Sequence, residues 1–313
     1  MSTRNDTGGV VATPGWRHHL FEVAGGPMSV HEAGVEGRPV VVLLHGAMYD
    51  EARFSWDQLF PTLAEHHHVY AVDTPRHGSS RPWAGRLTHR RLLTILEATF
   101  HHLALDTFHL VGLSMGGALA IGHAASHPRQ VDSMVLVEPG GLGRRLRHHF
   151  PLWLYLHTPG TRRVFNRLHR GKDTTALMRT LASFFTRGTT PTAPERLAQI
   201  LKEEIDGKGR YAEADLDDWQ VDAIGALRLS WNLLDEIPAL RCPTLWLRGA
   251  ESTLVSQEEM AHAVSLLTDA ELRVIPNAGH LLPLEQPDAA ARAVLEFLDR
   301  TKRPGPPGEH QTR

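Results

Sequence analysis

Short apolar runs alternate with amphipathic segments along most of this chain, and this alternation is the feature that most restricts its fold. The run Pro39–Leu44 (PVVVLL) is typical of a strand that is buried on both faces. Thr88–Leu103 repeats leucines at helical spacing, and another apolar run follows at Phe108–Leu113. Further strands are predicted at His19–Val23, Met28–His31, Val69–Val72, Val131–Val137, Thr244–Arg248 and Glu271–Ile275, and further helices at Phe54–His66, Met115–His127, Gln257–Leu267 and Pro287–Arg300. This order predicts an α/β fold, with a mostly parallel central sheet and helices on both faces.

One long stretch between Val137 and Thr244 interrupts the alternation, since it contains helical pieces and no convincing buried strand. About 100 residues are too many for a simple crossover between neighbouring strands. We therefore interpret this stretch as a helical insertion that covers the sheet as a cap. The predicted division is a disordered N-terminus at 1–15, a core at 16–139 and 238–300, a helical cap at 140–237 and a disordered tail at 301–313.

A serine lies between the predicted strand Phe108–Leu113 and the helix that follows it. The residues Gly112-Leu113-Ser114-Met115-Gly116 fit the pattern G-x-S-x-G. Glycine on either side allows a sharp strand-to-helix turn and close packing of the helix on the strand. Such a turn exposes the hydroxyl of Ser114 at the carboxyl edge of the sheet, next to the N–H groups of the helix N-terminus.

Three further motifs agree with this one. His45-Gly46-Ala47-Met48 follows the first central strand, Asp73–Ser80 (DTPRHGSS) follows the next strand, and Asn277-Ala278-Gly279-His280 precedes the last helix. With these motifs the sequence resembles the α/β-hydrolase superfamily, and in particular serine hydrolases that carry a helical cap. The resemblance implies the α/β-hydrolase fold and a hydrolytic site that needs no cofactor.

The resemblance also implies a role for individual residues. Ser114 is the expected nucleophile and His280 its general base, because a serine hydroxyl attacks poorly until an imidazole takes its proton. The chain order, with the serine first and the histidine last, is that of this fold. The expected oxyanion hole consists of the backbone N–H of Met115 and that of Ala47 or Met48, directed at the charge that develops on a tetrahedral intermediate.

The acid of the expected triad is where this sequence departs from its relatives. Most of them carry an aspartate three or four residues after the glycine that is here Gly249, and Ser252 and Thr253 occupy those positions. Neither side chain stabilises an imidazolium as a carboxylate does. Glu138, directly after its predicted strand, is the favoured replacement, since some relatives carry the acid there. Three alternatives remain open. The acid could be Glu251, it could come from the insertion, or the triad could lack an acid.

The expected reaction is hydrolysis of a carboxylic ester, thioester or lactone through an acyl-enzyme on Ser114. A serine at this point excludes the haloalkane dehalogenase and epoxide hydrolase routes, which need an aspartate there. The same scaffold also supports carbon–carbon bond hydrolysis, perhydrolysis, lyase reactions and biosynthetic cyclisation or acyl transfer. A non-catalytic ligand-binding relative is a further alternative, because the usual aspartate is absent.

The insertion supplies the candidate substrate contacts. Its aromatic side chains Trp153, Tyr155, Phe184 and Trp219 are candidates to line an acyl pocket, although core packing explains each of them equally well. Residues 140–172 carry eight Arg or Lys and no acidic residue. This basic segment either meets an anionic substrate or membrane surface, or is solvated and paired with the acids that follow it.

Composition excludes several other classes of protein. A net charge of −2 offers no electrostatic case for binding nucleic acid. The single cysteine, Cys242, excludes an internal disulfide and a multi-cysteine zinc site. The 21 histidines show no metal-binding spacing, so no metal is expected. Since no targeting signal and no apolar run of ~18–20 residues is present, we expect a cytoplasmic protein with a small-molecule substrate and no membrane insertion.

Overall fold

Eight strands form one mixed sheet in the residues that the computed structural model describes, which are 15–143, 145, 149–161, 164, 173–181, 191–230 and 232–301. The strands are β1 (Arg17–Val23), β2 (Gly26–Gly34), β3 (Val40–Leu44), β4 (His68–Asp73), β5 (Phe108–Leu113), β6 (Val131–Val137), β7 (Thr244–Gly249) and β8 (Ala270–Ile275). Their order across the sheet is β1-β2-β4-β3-β5-β6-β7-β8. β2 is antiparallel to β1 and β4, and the other neighbours are parallel, which confirms the predicted sheet. The ends expected to be disordered lie almost wholly outside the described residues.

Helices cover both faces of this sheet. They are α1 (Ala52–Ser55), α2 (Leu59–Ala64), α3 (His89–His102), α4 (Met115–Ser126), α5 (His149–His157), α6 (Thr174–Leu181), α7 (Pro194–Arg210), α8 (Asp218–Ala223), α9 (Gln257–Ser265), α10 (Leu282–Glu285) and α11 (Pro287–Arg300). α3, α4 and α9 pack in one apolar core, and α2 and α11 pack in the other. Because side chains alternate along a strand, β3 buries Val42 and Leu44 in the first core and Val41 and Leu43 in the second.

The segment after β3 differs from the single helix predicted at Phe54–His66. Two short helices, α1 and α2, replace it, with a turn at 56–58 between them. Phe54, Trp56 and Leu59 are all buried. Positions 54 and 56 would point about 200° apart on a continuous α-helix of 3.6 residues per turn. One helix cannot bury both side chains on the same face, so the prediction of a single helix is wrong and the chain turns.

The chain between β6 and β7 contains the helices α5 to α8 in its described residues, and buried ion pairs bind its second half to the core. Arg81, in the loop after β4, pairs with Glu204 of α7 and with Glu213. His77 of the same loop pairs with Asp217, which precedes α8. α7 and the start of α8 are therefore fixed against the loop after β4. None of the helices in the described ranges has both the length and the apolar character that crossing a membrane requires.

The loops that follow the parallel strands meet at one edge of the sheet. The loops after β3, β5 and β6 begin at His45, Ser114 and Glu138, and the loop after β7 begins at Ala250. The motif at 277–280 follows β8. Since the carboxyl ends of parallel strands lie together, the fold gathers the motif residues along this edge.

Candidate active site

Ser114 lies at a sharp turn between β5 and α4, with backbone angles φ 51° and ψ −109°. A positive φ is costly for a residue with a side chain, and such strain collects at functional sites. A Cβ atom at Gly116 would lie 2.0 Å from the carbonyl oxygen of Leu44, and one at Gly112 would lie 2.4 Å from that of Gly116. Both glycines are therefore required for α4 to approach the sheet so closely.

Backbone hydrogen bonds from neighbouring elements hold this turn. The N–H of Ser114 donates to the carbonyl oxygen of Val137 at 2.9 Å. The carbonyl of Ser114 accepts from the N–H groups of Ala118 at 3.1 Å and Gly140 at 2.9 Å. Met115 begins α4, and the first N–H groups of a helix have no acceptor within the helix. The half-buried hydroxyl of Ser114 thus stands at the positive end of α4.

A buried carboxylate lies behind His280. Glu138 follows β6 directly, and its side chain is inaccessible to solvent. Its Oε1 accepts from the N–H of Gly249 at 2.8 Å, and its Oε2 accepts from the hydroxyl of Ser252 at 2.7 Å. Nδ1 of His280 lies 3.5 Å from Oε2 of Glu138. This distance is at the long limit for a hydrogen bond.

The structure brings Glu138, and not Glu251, to the histidine. Glu251 is exposed, and its backbone N–H donates to the carbonyl of Ala278 at 2.8 Å. Ser252, at one of the two positions where most relatives carry the aspartate, instead donates its hydroxyl to Glu138. Sequence reasoning missed this contact. The signal that could have found it is the neighbouring position of β6 and β7, which places the residues after the two strands side by side.

His45 holds the loop after β3. Its Nδ1 lies 2.7 Å from the carbonyl oxygen of Gly46, and its Nε2 accepts from the N–H of Thr74 at 3.0 Å. Burial lowers the pKa of His45 to about 3, so the ring is neutral and carries its proton on Nδ1. Both ring nitrogens are thus engaged in positioning the loop that carries Ala47 and Met48.

Asp50 closes the same loop. Its Oδ2 accepts from the N–H of Gly46 at 2.7 Å and from the hydroxyl of Ser55, and its Oδ1 accepts from the N–H of Glu51 at 2.8 Å. Burial raises the pKa of the Asp50 carboxyl to about 6, and the hydrogen bonds oppose that rise. Asp50 is therefore an acid that changes its charge close to neutral pH.

Ser114 and His280 line one cavity of about 170 Å³. Its lining also includes Gly46, Ala47, Met48, Tyr49, Asp50, Phe54, Leu113, Leu201, Gln220, Leu254 and Leu281. The loop residues come from the carboxyl edge of the sheet, whereas Leu201 belongs to α7 and Gln220 to α8. Sequence reasoning missed these two contacts, because helical spacing shows which face of α7 is apolar but not what that face meets.

Three of the four aromatic residues predicted as substrate contacts are not among the described residues that line this cavity. Trp219 is buried in the core that contains α3 and α4. Trp153 and Tyr155 lie on α5 and are partly buried, and neither is among the residues that line the cavity. The fourth, Phe184, lies outside the described residues. For Trp219, core packing explains the aromatic side chain.

Comparison with known proteins identifies the family. The sequence profile of the Alpha/beta hydrolase family matches residues 41–293. The chain belongs to this family. A 2-hydroxy-6-oxo-6-(2'-aminophenyl)hexa-2,4-dienoic acid hydrolase of Metapseudomonas resinovorans is 25% identical over 287 residues, which cover 90% of each chain. An esterase of Mycobacterium tuberculosis is 27% identical, with 83% of each chain covered.

A solved structure of this fold agrees with the assignment. Naproxen esterase from Bacillus subtilis is 22% identical and superposes with a TM-score of 0.69, covering 90% of this chain and 91% of its own. The predicted resemblance and the α/β-hydrolase fold are both confirmed. The chain is thus a hydrolase of the α/β fold, with esterases and a dienoic acid hydrolase among its relatives.

Within the described ranges, one cluster away from Ser114 has the composition of a metal site. Donor atoms of His31, Glu51 and Asp73, all buried, lie within 4.8 Å of one another. Nε of Arg53 lies 3.0 Å from Oε1 of Glu51, and the hydroxyl of Ser29 donates to Asp73 at 2.7 Å. The guanidinium balances acidic charge without an added ion, so the cluster is explained as a buried ionic network.

Proposed function

We propose that this hydrolase cleaves a carboxylic ester, thioester or lactone, with Ser114, His280 and Glu138 as its catalytic triad. The observation that carries the proposal is the buried Glu138–His280 pair, which stands behind a cavity shared by His280 and the strained Ser114. The esterases among the relatives and similar structures support the same reaction class.

In the proposed first step, Oγ of Ser114 attacks the acyl carbon while Nε2 of His280 takes the hydroxyl proton. The ionised carboxylate of Glu138 stabilises the resulting imidazolium through Nδ1. The imidazolium then gives the proton to the leaving oxygen or sulfur, and the acyl group stays on Ser114. Water, activated by the same imidazole, hydrolyses this acyl-enzyme and restores the serine.

Backbone N–H groups form the proposed oxyanion hole. That of Met115 stands at the start of α4 beside Ser114, and Ala47 and Met48 lie on the same cavity in the loop held by His45. Donors fixed before the reaction stabilise the charge on the tetrahedral intermediate without reorganisation. Removing one such donor typically lowers kcat by about 10²–10³-fold.

We propose that the insertion at 140–237 acts as a cap over this site. Leu201 and Gln220, from α7 and α8, line the cavity. The buried pairs of Arg81 with Glu204 and of His77 with Asp217 hold both helices close to it. This half of the insertion therefore forms a fixed wall of the substrate site.

Carbon–carbon bond hydrolysis is the second candidate function. It is supported by a relative whose name describes it as a hydrolase of a 6-oxo dienoic acid, with 90% of each chain covered. The same serine, histidine and oxyanion donors suit attack at a ketone carbon, so the fold does not separate the two reactions. The charge of the substrate distinguishes the two reactions, because a dienoic acid brings a carboxylate into the site and a neutral ester does not.

Labelling with a fluorophosphonate probe tests the proposed function. We expect one adduct on Ser114 in the wild-type protein and none in Ser114→Ala, while the exposed-site control Ser265→Ala labels normally. A series of p-nitrophenyl esters of increasing chain length then measures the acyl specificity. Labelling that persists in Ser114→Ala, or an unlabelled wild-type protein that cleaves no ester, would contradict the proposed mechanism.

A further inference from the structure

We infer that Asp50 makes this site selective for substrates whose acyl chain carries no negative charge. The inference rests on the proposed function, since it concerns the substrate class of the same cavity. Asp50 is only 6% exposed, and it is one of the residues that line the cavity shared by Ser114 and His280. A ligand that fills this cavity therefore contacts both the Ser114 side and the Asp50 side of its wall.

The hydrogen bonds of Asp50 fix its position without removing its charge. Its three donors are the N–H groups of Gly46 and Glu51 and the hydroxyl of Ser55, and all three are neutral. A carboxylate that is held in this way stays directed along the loop and cannot swing away from a second anion. Gly46 is part of this arrangement, because a Cβ there would lie 2.6 Å from Oδ2 of Asp50.

The described residues that line the cavity include no fixed cation for a substrate carboxylate. None of them is Lys or Arg. Outside the lining, Nδ1 of His77 lies 2.7 Å from the carbonyl oxygen of Asp50, and its Nε2 lies 2.9 Å from Oδ2 of Asp217. Among the described lining residues, an anionic substrate would thus meet the carboxylate of Asp50 and no Lys or Arg, in a partly desolvated site.

The charge of Asp50 gives the selectivity a pH dependence. Because burial raises the pKa of Asp50 to about 6, the carboxyl is neutral below that pH and charged above it. Ser55 and the backbone of Gly46 and Glu51 oppose this rise, as does the charge of His77. Discrimination against an anionic substrate should therefore be weak near pH 5 and strengthen as the pH rises through about 6.

A matched set of substrates tests this inference. We would measure kcat/KM for p-nitrophenyl hexanoate, for the mono-p-nitrophenyl ester of adipic acid and for p-nitrophenyl 6-aminohexanoate, which differ at the end of the acyl chain. At pH 8 we expect the anionic ester to be cleaved roughly 100-fold less efficiently than the neutral one, as repulsion at short range in a partly buried site implies. The cationic ester should show no such loss.

Substitutions test whether Asp50 causes the discrimination against the anionic ester. In Asp50→Asn the neutral-to-anionic ratio should fall to within about fivefold of unity, and its pH dependence should vanish. Asp106→Asn, which removes an exposed carboxylate before β5, should keep the wild-type ratio. A ratio of two substrates on one preparation is independent of how much of a variant folds. An unchanged ratio in Asp50→Asn, or a wild-type protein that cleaves both esters equally, would overturn the inference.

The two proposals fail in different ways. If neutral esters are cleaved without charge discrimination, only the role of Asp50 is wrong. If no ester is cleaved and Ser114 is not labelled, the proposed function is wrong. In that case, calorimetric binding of methyl hexanoate against monomethyl adipate still measures the selectivity, and equal affinities would overturn it.

Discussion

Two neighbouring loops, those after β6 and β7, make different contacts beside His280. One holds the carboxylate that faces the histidine, and the other donates a hydrogen bond to that carboxylate. The loop after β6 supplies the carboxylate of Glu138. Its two donors are the N–H of Gly249, the last residue of β7, and the hydroxyl of Ser252 in the loop after β7. Because β6 and β7 are parallel neighbours, either loop reaches the same place at the sheet edge. The acid that we propose for the triad therefore follows β6, whereas most relatives are expected to carry it in the loop after β7.

The two loops differ in the burial of their acidic side chains and in the donors available to them. A buried carboxylate is costly unless donors satisfy it, and Glu138 has two besides His280. Glu251 lies in the loop after β7 and is exposed. Burial and available donors, and not closeness to the usual position in the sequence, are thus the grounds on which we propose Glu138 as the acid.

The largest expected effect comes from a substitution of Glu138 in the loop after β6. Glu138→Gln leaves the shape of the side chain but removes the charge that stabilises the imidazolium. We expect kcat on a neutral ester to fall by about 10⁴-fold, as for the loss of an orienting carboxylate in other triads. The matched control, Glu251→Gln, should stay within about twofold of wild type, since surface changes have small effects. A collapse confined to Glu251→Gln would transfer the role to the loop after β7.

A smaller effect is expected from returning the acid to the loop after β7. Glu138→Ser combined with Ser252→Asp exchanges carboxylate and hydroxyl between the loops. We expect the double variant to be roughly 10- to 100-fold more active than Glu138→Ser alone, because residues in contact are energetically coupled. Steady-state kinetics of the four members of this cycle measure the coupling. If the effects of the two substitutions simply multiplied, the two loops would act independently.

The sheet and the serine turn were predictable from sequence because they depend on local patterns. Apolar runs bounded by turns define β3, β5 and β6. The glycines of the motif around Ser114 are required by a contact within the motif, between Gly112 and Gly116, and by a contact of Gly116 with the adjacent strand β3. The break at Trp56 and the cavity contacts of Leu201 were not predictable in this way. They depend on which surfaces meet after folding, and periodicity carries no information about the partner of an apolar face.

The contribution of Ser252 is the smallest of these effects and the sharpest test of the comparison. Ser252→Ala removes one donor from a buried carboxylate, for which we expect about 1.5–3 kcal/mol less stability, measured by denaturant unfolding. If the hydroxyl also orients Glu138 toward His280, kcat should fall by about tenfold with KM unchanged, since the loss then appears only in the transition state. Ser252→Thr, which keeps the hydroxyl, should restore most of kcat, and the exposed neighbour variant Thr253→Ala should lose none. A stability loss with unaltered kcat would show that Ser252 holds Glu138 in the fold without positioning it for the reaction.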